Sequence, residues 1–472
     1  MDLDKSNRQE KKLVIGEDPI WDVKGISLTK QLVLGLQHLF AMFGATVLVP
    51  ILTGLDISTT LFMAGAGTLL FHLATKGKVP AFLGSSFAFL GGYAILAPMK
   101  DGVANLEQLK AANGGIFVSG IMFLLIALMI KLFGIERIMR FFPPVVTGPI
   151  IICIGLGLAP TAIANASNNW IVALVAMVTI IVFNIWGKGM SKVIPIMLGI
   201  IAGYITALIM QDVDFSTISG NQIFAVPLAQ DRFMTFDISA ILVMVPISLA
   251  TLMEHVGDIA AVSATAGRNY LKEPGLHRTL MGDGFATSFS TALGGPDMTT
   301  YGENVGVMAL TKVYDPRVMR IAAVMSIILS FFPSVSGFIR TIPNAVIGGV
   351  SIILYGMIAS TGVRNLVENH VDFGRSRNMI IAGVIFVSAL GFGAEGLSVV
   401  LFGETIALPG IAIAAVLGIF LNAVLPGNDY RFNVDEPNPE GTGMDFSVRN
   451  REQADEALVA SIIEKRENDE IE

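Results

Sequence analysis

Glu254 and Asp258 stand four residues apart in a largely apolar stretch, 238 to 262. A third carboxylate, Glu303, closes the run Gly294-Gly295-Pro296-Asp297-Met298-Thr299-Thr300-Tyr301-Gly302. On a helix, residues four apart lie one turn above each other on a single face. Two acids so placed can accept a pair of N–H donors, hold a cation or share a proton. At mid-depth in a bilayer a charge costs about 2.5 to 3.5 kcal/mol on the insertion scale, so such residues face a cavity and mark a substrate or ion path. The bland alternative is silent pairing with a buried base, but Lys and Arg are concentrated in polar loops and at the ends of apolar stretches.

The elements that must position these acids are long apolar runs. Crossing a bilayer takes about 20 residues of helix, and spans are predicted near 31 to 53, 58 to 75, 113 to 133, 143 to 163, 170 to 187, 193 to 211, 238 to 262, 276 to 294, 317 to 335, 343 to 362, 378 to 394 and 407 to 425. Two further segments, 79 to 98 and 296 to 312, are apolar but interrupted by Gly, Ser, Thr and Pro. Counting them as broken crossings gives fourteen. The loops support that count, because cytoplasmic loops are rich in Lys and Arg. With the N-terminus inside, every second loop is basic: Lys76 and Lys78; Lys131, Arg137 and Arg140; Lys188 and Lys192; Arg268, Lys272 and Arg278; Lys312, Arg317 and Arg320; Arg364, Arg375 and Arg377. The opposite set holds only Lys100, Lys110, Arg232 and Arg340, and the loops at 163 to 169 and 395 to 406 have none. Both termini are then expected in the cytoplasm, with the chain passing many times through the membrane.

The halves echo each other. Phe142-Pro143-Pro144-Val145-Val146-Thr147-Gly148 resembles Ile342-Pro343-Asn344-Ala345-Val346-Ile347-Gly348, and Met63-Ala64-Gly65-Ala66-Gly67 before Pro80 resembles Met281-Gly282-Asp283-Gly284 before Pro296. Seven spans per half, an odd number, would insert the second half upside down. Inverted repeats with paired broken helices point to a secondary transporter with its site at the midplane. Aligned on Pro80 and Pro296, Phe87 falls opposite Glu303.

Composition excludes other classes. Of 472 residues 53% are hydrophobic and 15% charged, against about 25% charged in soluble domains. The net charge of -7 gathers in the acidic C-terminal tail, and no basic, aromatic-interleaved patch argues for nucleic acid. The one cysteine, Cys153, lies in an apolar run and reads as a small buried hydrophobe. Residues 1 to 30 lack the apolar core of a cleaved signal peptide. No metal cluster or nucleophile constellation is evident, so neither an enzyme, a catalytic residue, a metal nor a cofactor is expected. Trp21, Trp170 and Trp186 fall at span ends as interfacial anchors, and His72 and His277 near loops read as interfacial. Asp283, among glycines, reads equally as a neighbour of the site or as a cap.

With these residues in view the chain resembles the nucleobase/ascorbate transporter family, and within it the bacterial uracil permeases. The stretch Glu303-Asn304-Val305-Gly306-Val307-Met308-Ala309-Leu310-Thr311-Lys312 fits the family motif at five constrained positions. Gln37-His38, Gly84-Ser85-Ser86-Phe87-Ala88-Phe89, Glu254-His255-Val256-Gly257, Pro274-Gly275-Leu276-His277-Arg278 and Thr300-Tyr301-Gly302 look similar too, and the resemblance covers roughly residues 30 to 425. It implies an all-α membrane protein of fourteen segments in two inverted seven-segment repeats, with short antiparallel strands in broken segments 3 and 10. A core domain would comprise 31–133 and 216–341, and a gate domain 134–215 and 342–426. Residues 1–30 and 427–472 would be cytoplasmic tails, and gate domains would pair in a homodimer.

By the same resemblance, Phe87, Ser86, Glu254, Tyr301, Gly302 and Glu303 would contact uracil, with Glu254 accepting its N–H groups. Gln37, His38, Asn304 and Thr311 would support them, and Glu at 303 would favour uracil over xanthine. Glu254, Asp258 and Glu303 would share the coupling proton. One departure stands out: such permeases commonly carry His where this chain has Asp258, which leaves proton and sodium coupling both open. Xanthine or another nucleobase as substrate, and an anion transporter of similar fold, are the other readings.

Overall fold

The computed structural model describes residues 14–99, 103–215, 223–393, 396–401, 404–428 and 430. Lys100, residues 1–13 and residues 431–472, with the acidic cluster and the weakly amphipathic stretch at 452 to 464, lie outside the described residues. The chain is mostly helical. Its first half runs α1 (Leu28–Thr53), α2 (Ile57–Ala74), β1 (Leu83–Gly84), α3 (Leu90–Leu96), α4 (Leu106–Phe133), α5 (Ile135–Met139), α6 (Pro144–Gly157), α7 (Ala159–Ala166), α8 (Trp170–Trp186), α9 (Met190–Val193) and α10 (Pro195–Ile209). The second runs α11 (Ile238–Ala266), α12 (Leu276–Ala292), β2 (Thr299–Thr300), α13 (Glu303–Thr311), α14 (Pro316–Ser330), α15 (Pro333–Arg340), α16 (Asn344–Glu368), α17 (Ser376–Phe392), β3 (Leu397–Leu401), β4 (Glu404–Leu408) and α18 (Gly410–Val424).

Local chemistry sets these boundaries. Asp56, Asn105, Asn169, Asp237 and Asp315 cap α2, α4, α8, α11 and α14 through side-chain oxygens that accept first-turn N–H groups. Proline opens α6, α10, α14 and α15, where its missing N–H costs nothing. Gly54 ends α1 in the left-handed conformation.

Among the described residues, six helices, counting α6 and α7 as one, are long and apolar enough to cross a membrane, and the pair α14 and α15, bent by 83°, makes a seventh. The helices α8, α10, α17 and α18 are shorter and apolar. Their outward faces carry exposed Ile, Leu, Val and Phe, as lipid contact requires. The protein is therefore a multi-pass membrane protein.

Packing falls into two groups. Helix α4 lies against α11 and α12, α2 against α12 and α14, and α1 against α14. Separately, α16 lies against α6, α7 and α8, α10 against α8, and α17 against α6 and α18. Contacts of α11 with α6 and α18, and of α1 with α10, join the groups. Helices come close where side chains are smallest: a Cβ on Gly155 would stand 2.4 Å from the Tyr355 carbonyl oxygen, so only glycine lets α6 meet α16.

Several boundaries differ from those read in the sequence. The span at 143 to 163 runs through α6 and α7 as one crossing with an interruption at Leu158 alone, and that at 317 to 335 continues past its bend to Arg340. Helix α4 begins at Leu106, before the apolar run, because Asn105 caps it in a polar stretch. The loop placed at 395 to 406 contains a hairpin instead, with Leu397 paired to Leu408 and Leu401 to Glu404. Its β-branched residues Val399, Val400, Thr405 and Ile406 suit strands. His72 is buried, not interfacial: its Nε2 meets the Ala81 carbonyl at 3.0 Å, because α2 packs over the strand that follows it. Trp170 and Trp186 do mark the two exposed ends of α8.

Candidate functional site

The two interrupted segments meet. β1 and β2 pair antiparallel, with Leu83 opposite Thr300 and Gly84 opposite Thr299, and the Tyr301 N–H extends the ladder to the Phe82 carbonyl at 3.0 Å. Leu83 and Gly84 lie three and four residues after Pro80, and Thr299 and Thr300 three and four after Pro296. Each pair therefore matches a third position with a fourth, the relation a two-fold axis through the ladder produces. Two residues on each side is all the strand there is. Backbone beyond it runs through Ser85, Ser86 and Phe87 toward α3, and through Tyr301 and Gly302 into α13. Non-helical backbone at membrane depth is tolerated only where protein covers it or it lines a cavity. Here protein covers it, because residues 79 to 90 are all buried.

Helix α11 passes beside the ladder and presents both its acids. Ser86 Oγ donates to Glu254 Oε2 at 3.1 Å, and Thr300 Oγ1 donates to Asp258 Oδ2 at 3.1 Å. Each carboxylate is thus held by one of the two interrupted segments. A Cβ built on Gly302 would lie 3.3 Å from Asp258 Oδ1, so the backbone opening α13 runs directly past that acid. Glu303 is the first residue of α13, one residue beyond Gly302. All three acids are half-buried, whereas the ladder residues around them are buried. A carboxylate at a helix N-terminus is favourably placed against the helix dipole.

Aromatic residues frame this group. Phe87 is buried one residue beyond Ser86. Tyr301 is buried too, and its hydroxyl donates to the Ser85 carbonyl at 2.8 Å, so it braces one segment against the other. A Cβ on Gly84 would meet the Tyr301 ring at 2.4 Å; glycine alone lets the ring lie across β1. His38 and Asn304 pair at 3.0 Å between Nδ1 and Oδ1, tying α1 to α13 immediately behind Glu303.

The structure thus gathers Ser86, Phe87, Glu254, Asp258, Tyr301, Gly302 and Glu303, with His38 and Asn304 adjoining. Gln37 and Thr311 do not join them. Both line a small apolar pocket with Ile15, Lys30, Val33 and Leu34, and Thr311 Oγ1 bonds within its own helix to the Val307 carbonyl at 2.8 Å.

Several polar residues at this depth were not singled out from sequence. Asp297 is buried and accepts the Ser86 N–H at 3.3 Å, so a fourth acid touches the segment that holds Glu254. An acid directly after Pro296 inside an interrupted crossing was the available signal. Thr300 could be read only once the strand register was known. Asn113 accepts from the Tyr93 hydroxyl at 2.6 Å and donates to the Gly295 carbonyl at 3.1 Å, anchoring α3 and the second segment to α4. His255 and Asp283, wholly buried, approach to 3.2 Å without aligning as a hydrogen bond. Of the two readings of Asp283, the structure has the one next to the site helix.

Known proteins share this sequence and fold. A sequence model described as "Permease family" matches residues 29–395. The "Uracil permease" of Bacillus caldolyticus is 43% identical over 423 residues, covering 87% of this chain and 95% of its own. That of Bacillus subtilis (strain 168) is 41% identical over 408 residues, covering 83% and 91%. Among solved structures, the transmembrane domain of the cyanobacterial bicarbonate transporter BicA superposes with a TM-score of 0.51 at 15% identity, covering 84% of this chain and 97% of that one. The last likeness is one of fold alone.

Proposed function

Because the chain belongs to the permease family, we propose that it imports uracil across the bacterial cytoplasmic membrane, coupled to protons, with both termini in the cytoplasm. It is a transporter and not an enzyme. The observation that carries the reading is the pair of α11 carboxylates, each held by a hydroxyl from a different interrupted segment. Uracil is neutral near pH 7 and offers two N–H donors and two carbonyl acceptors. Glu254 takes the donors, charge-assisted hydrogen bonds being the stronger kind. Backbone N–H groups at the start of α13 take a carbonyl, and Phe87 covers the ring. Gly302 keeps the approach open, and Glu303 favours uracil over xanthine.

The scaffold we propose is fourteen segments in two inverted repeats of seven. The symmetric register of β1 with β2 supports it. A core of 31–133 and 216–341 moves against a gate of 134–215 and 342–426, a division supported by the two packing groups and their few connections. The gates pair in a homodimer. Glu254, Asp258 and Glu303 share one proton, and its uptake with uracil discharges the site enough for the core to pass the gate. Sodium coupling is the second reading, favoured by Asp258, which offers carboxylate oxygens as cation ligands. An anion as cargo is disfavoured, since the cluster is acidic.

Uptake into vesicles decides the coupling. A pH gradient without sodium is expected to drive radiolabelled uracil inward; strict dependence on sodium overturns the proton reading. Glu254→Ala and Glu303→Ala are each expected to abolish binding to the purified, folded protein.

A further inference from the structure

The segment before α1 is built into the bundle. Gly16 N–H donates to the Thr311 carbonyl at 2.9 Å and Ile20 N–H to the Lys312 carbonyl at 2.8 Å. Tyr314 N–H returns to the Ile20 carbonyl at 2.7 Å, making a short parallel bridge. Val23 N–H donates to the buried Asp315 carboxylate at 2.9 Å. Ile20, Val23 and Ile26 close an apolar cluster of their own with Leu34, Val313 and Val318. Gln31 on α1 secures the other end, its amide donating to the Ile26 carbonyl at 2.7 Å.

This strap reaches the ends of both acid-bearing helices. Thr311 is the last residue of α13, eight after Glu303; Ala266 is the last of α11, eight after Asp258. Eight residues of helix span about 12 Å. Just past α11, the Arg268 guanidinium lies 5.1 Å from the Trp21 ring centroid, and Trp21 packs on Tyr314 at 5.6 Å between centroids. Backbone bonds therefore fix the strap to α13, and one cation–π contact fixes it to α11. Nothing in the polar composition of this stretch announced such a role.

We propose that residues 14–26 form a clamp that sets the spacing of α11 and α13, with Trp21 and Arg268 as positioning residues for carboxylates that lie about 12 Å (Asp258, Glu303) and about 18 Å (Glu254) from the ends of their helices. A helix displaced at its end carries its acids with it, so loss of the clamp loosens Glu254 and Asp258 from Glu303. The proposal rests on the reading of those acids as the uracil site.

The test is Trp21→Ala, Arg268→Gln and the double variant in the full chain, with Trp21→Phe as rescue. From the strength of an exposed cation–π contact, KM for uracil is expected to rise roughly two- to fivefold in each single variant at unchanged maximal rate per folded transporter. The double variant should be no worse than the worse single one, and Phe should restore the wild-type KM. Unchanged KM in both singles, or additive effects in the double, overturns the clamp. If the unmodified chain fails to carry uracil, the transport reading falls by itself. The clamp is then judged by hydrogen exchange: Trp21→Ala must raise exchange at the ends of α11 and α13 together, and a rise in one or neither overturns it.

Discussion

The two interrupted segments share a backbone and differ in chemistry. Each runs from a proline through a two-residue strand into a helix, and the strands pair with matching offsets. The first supplies Ser86 and Phe87 and is buried throughout 79 to 90; the second supplies Thr300 and Glu303 and leaves Gly302 and Glu303 half-buried. At the positions equivalent by their prolines, an aromatic ring stands on one side and a carboxylate on the other. A symmetric scaffold thus carries asymmetric side chains, an arrangement that the proposed site would use to meet a flat ring with an apolar face and a polar edge. On the proposed reading, the symmetry serves the position of the site and the asymmetry its selectivity.

That comparison can be broken at several points, in descending order of effect. Glu254→Ala removes the proposed acceptor for two N–H groups, and a bond to a charged group is worth about 1.5 to 3 kcal/mol. Uracil affinity measured by isothermal titration is expected to fall about a hundredfold or more. Phe87→Ala uncovers the ring face. Stacking of a base on an aromatic side chain is worth about 1 to 3 kcal/mol, so a loss of about tenfold is expected in the same titration. If Phe87→Ala proves neutral while Glu303→Ala is severe, only one of the two segments contacts the substrate.

Ser86→Ala and Thr300→Ala each delete one hydroxyl on one acid, worth about 1 kcal/mol or fivefold. The effects should differ in kind. Ser86→Ala raises the dissociation constant through Glu254, whereas Thr300→Ala, acting on Asp258, alters the pH dependence of vesicle uptake and leaves affinity nearly unchanged. Gln37→Ala and Thr311→Ala, which line a different pocket, are expected to change KM less than twofold.

How much of this could be read without coordinates follows the range of the interactions. The acids at 254 and 258, one turn apart, are a local pattern, and the interruptions at Pro80 and Pro296 are local breaks. Both were legible, as were the long apolar helices. Gln37 and Thr311 share the motifs of His38 and Asn304 but line another pocket, Thr311 at the end of α13 far from Glu303. Long-range partners were invisible. The hold of Asp297 on Ser86 crosses 211 residues of sequence, and that of Asp315 on Val23 crosses 292. No periodicity records such contacts. The hairpin at β3 and β4 was lost because its apolar, β-branched run merges with the span that follows.

The most direct measurement is a structure of the purified protein with uracil bound. Density for one pyrimidine is expected between Phe87 and the start of α13, its N–H edge within hydrogen-bond distance of Glu254. Density instead in the polar pocket around Asp56, Arg232 and Arg340, with none beside Glu254, would contradict it.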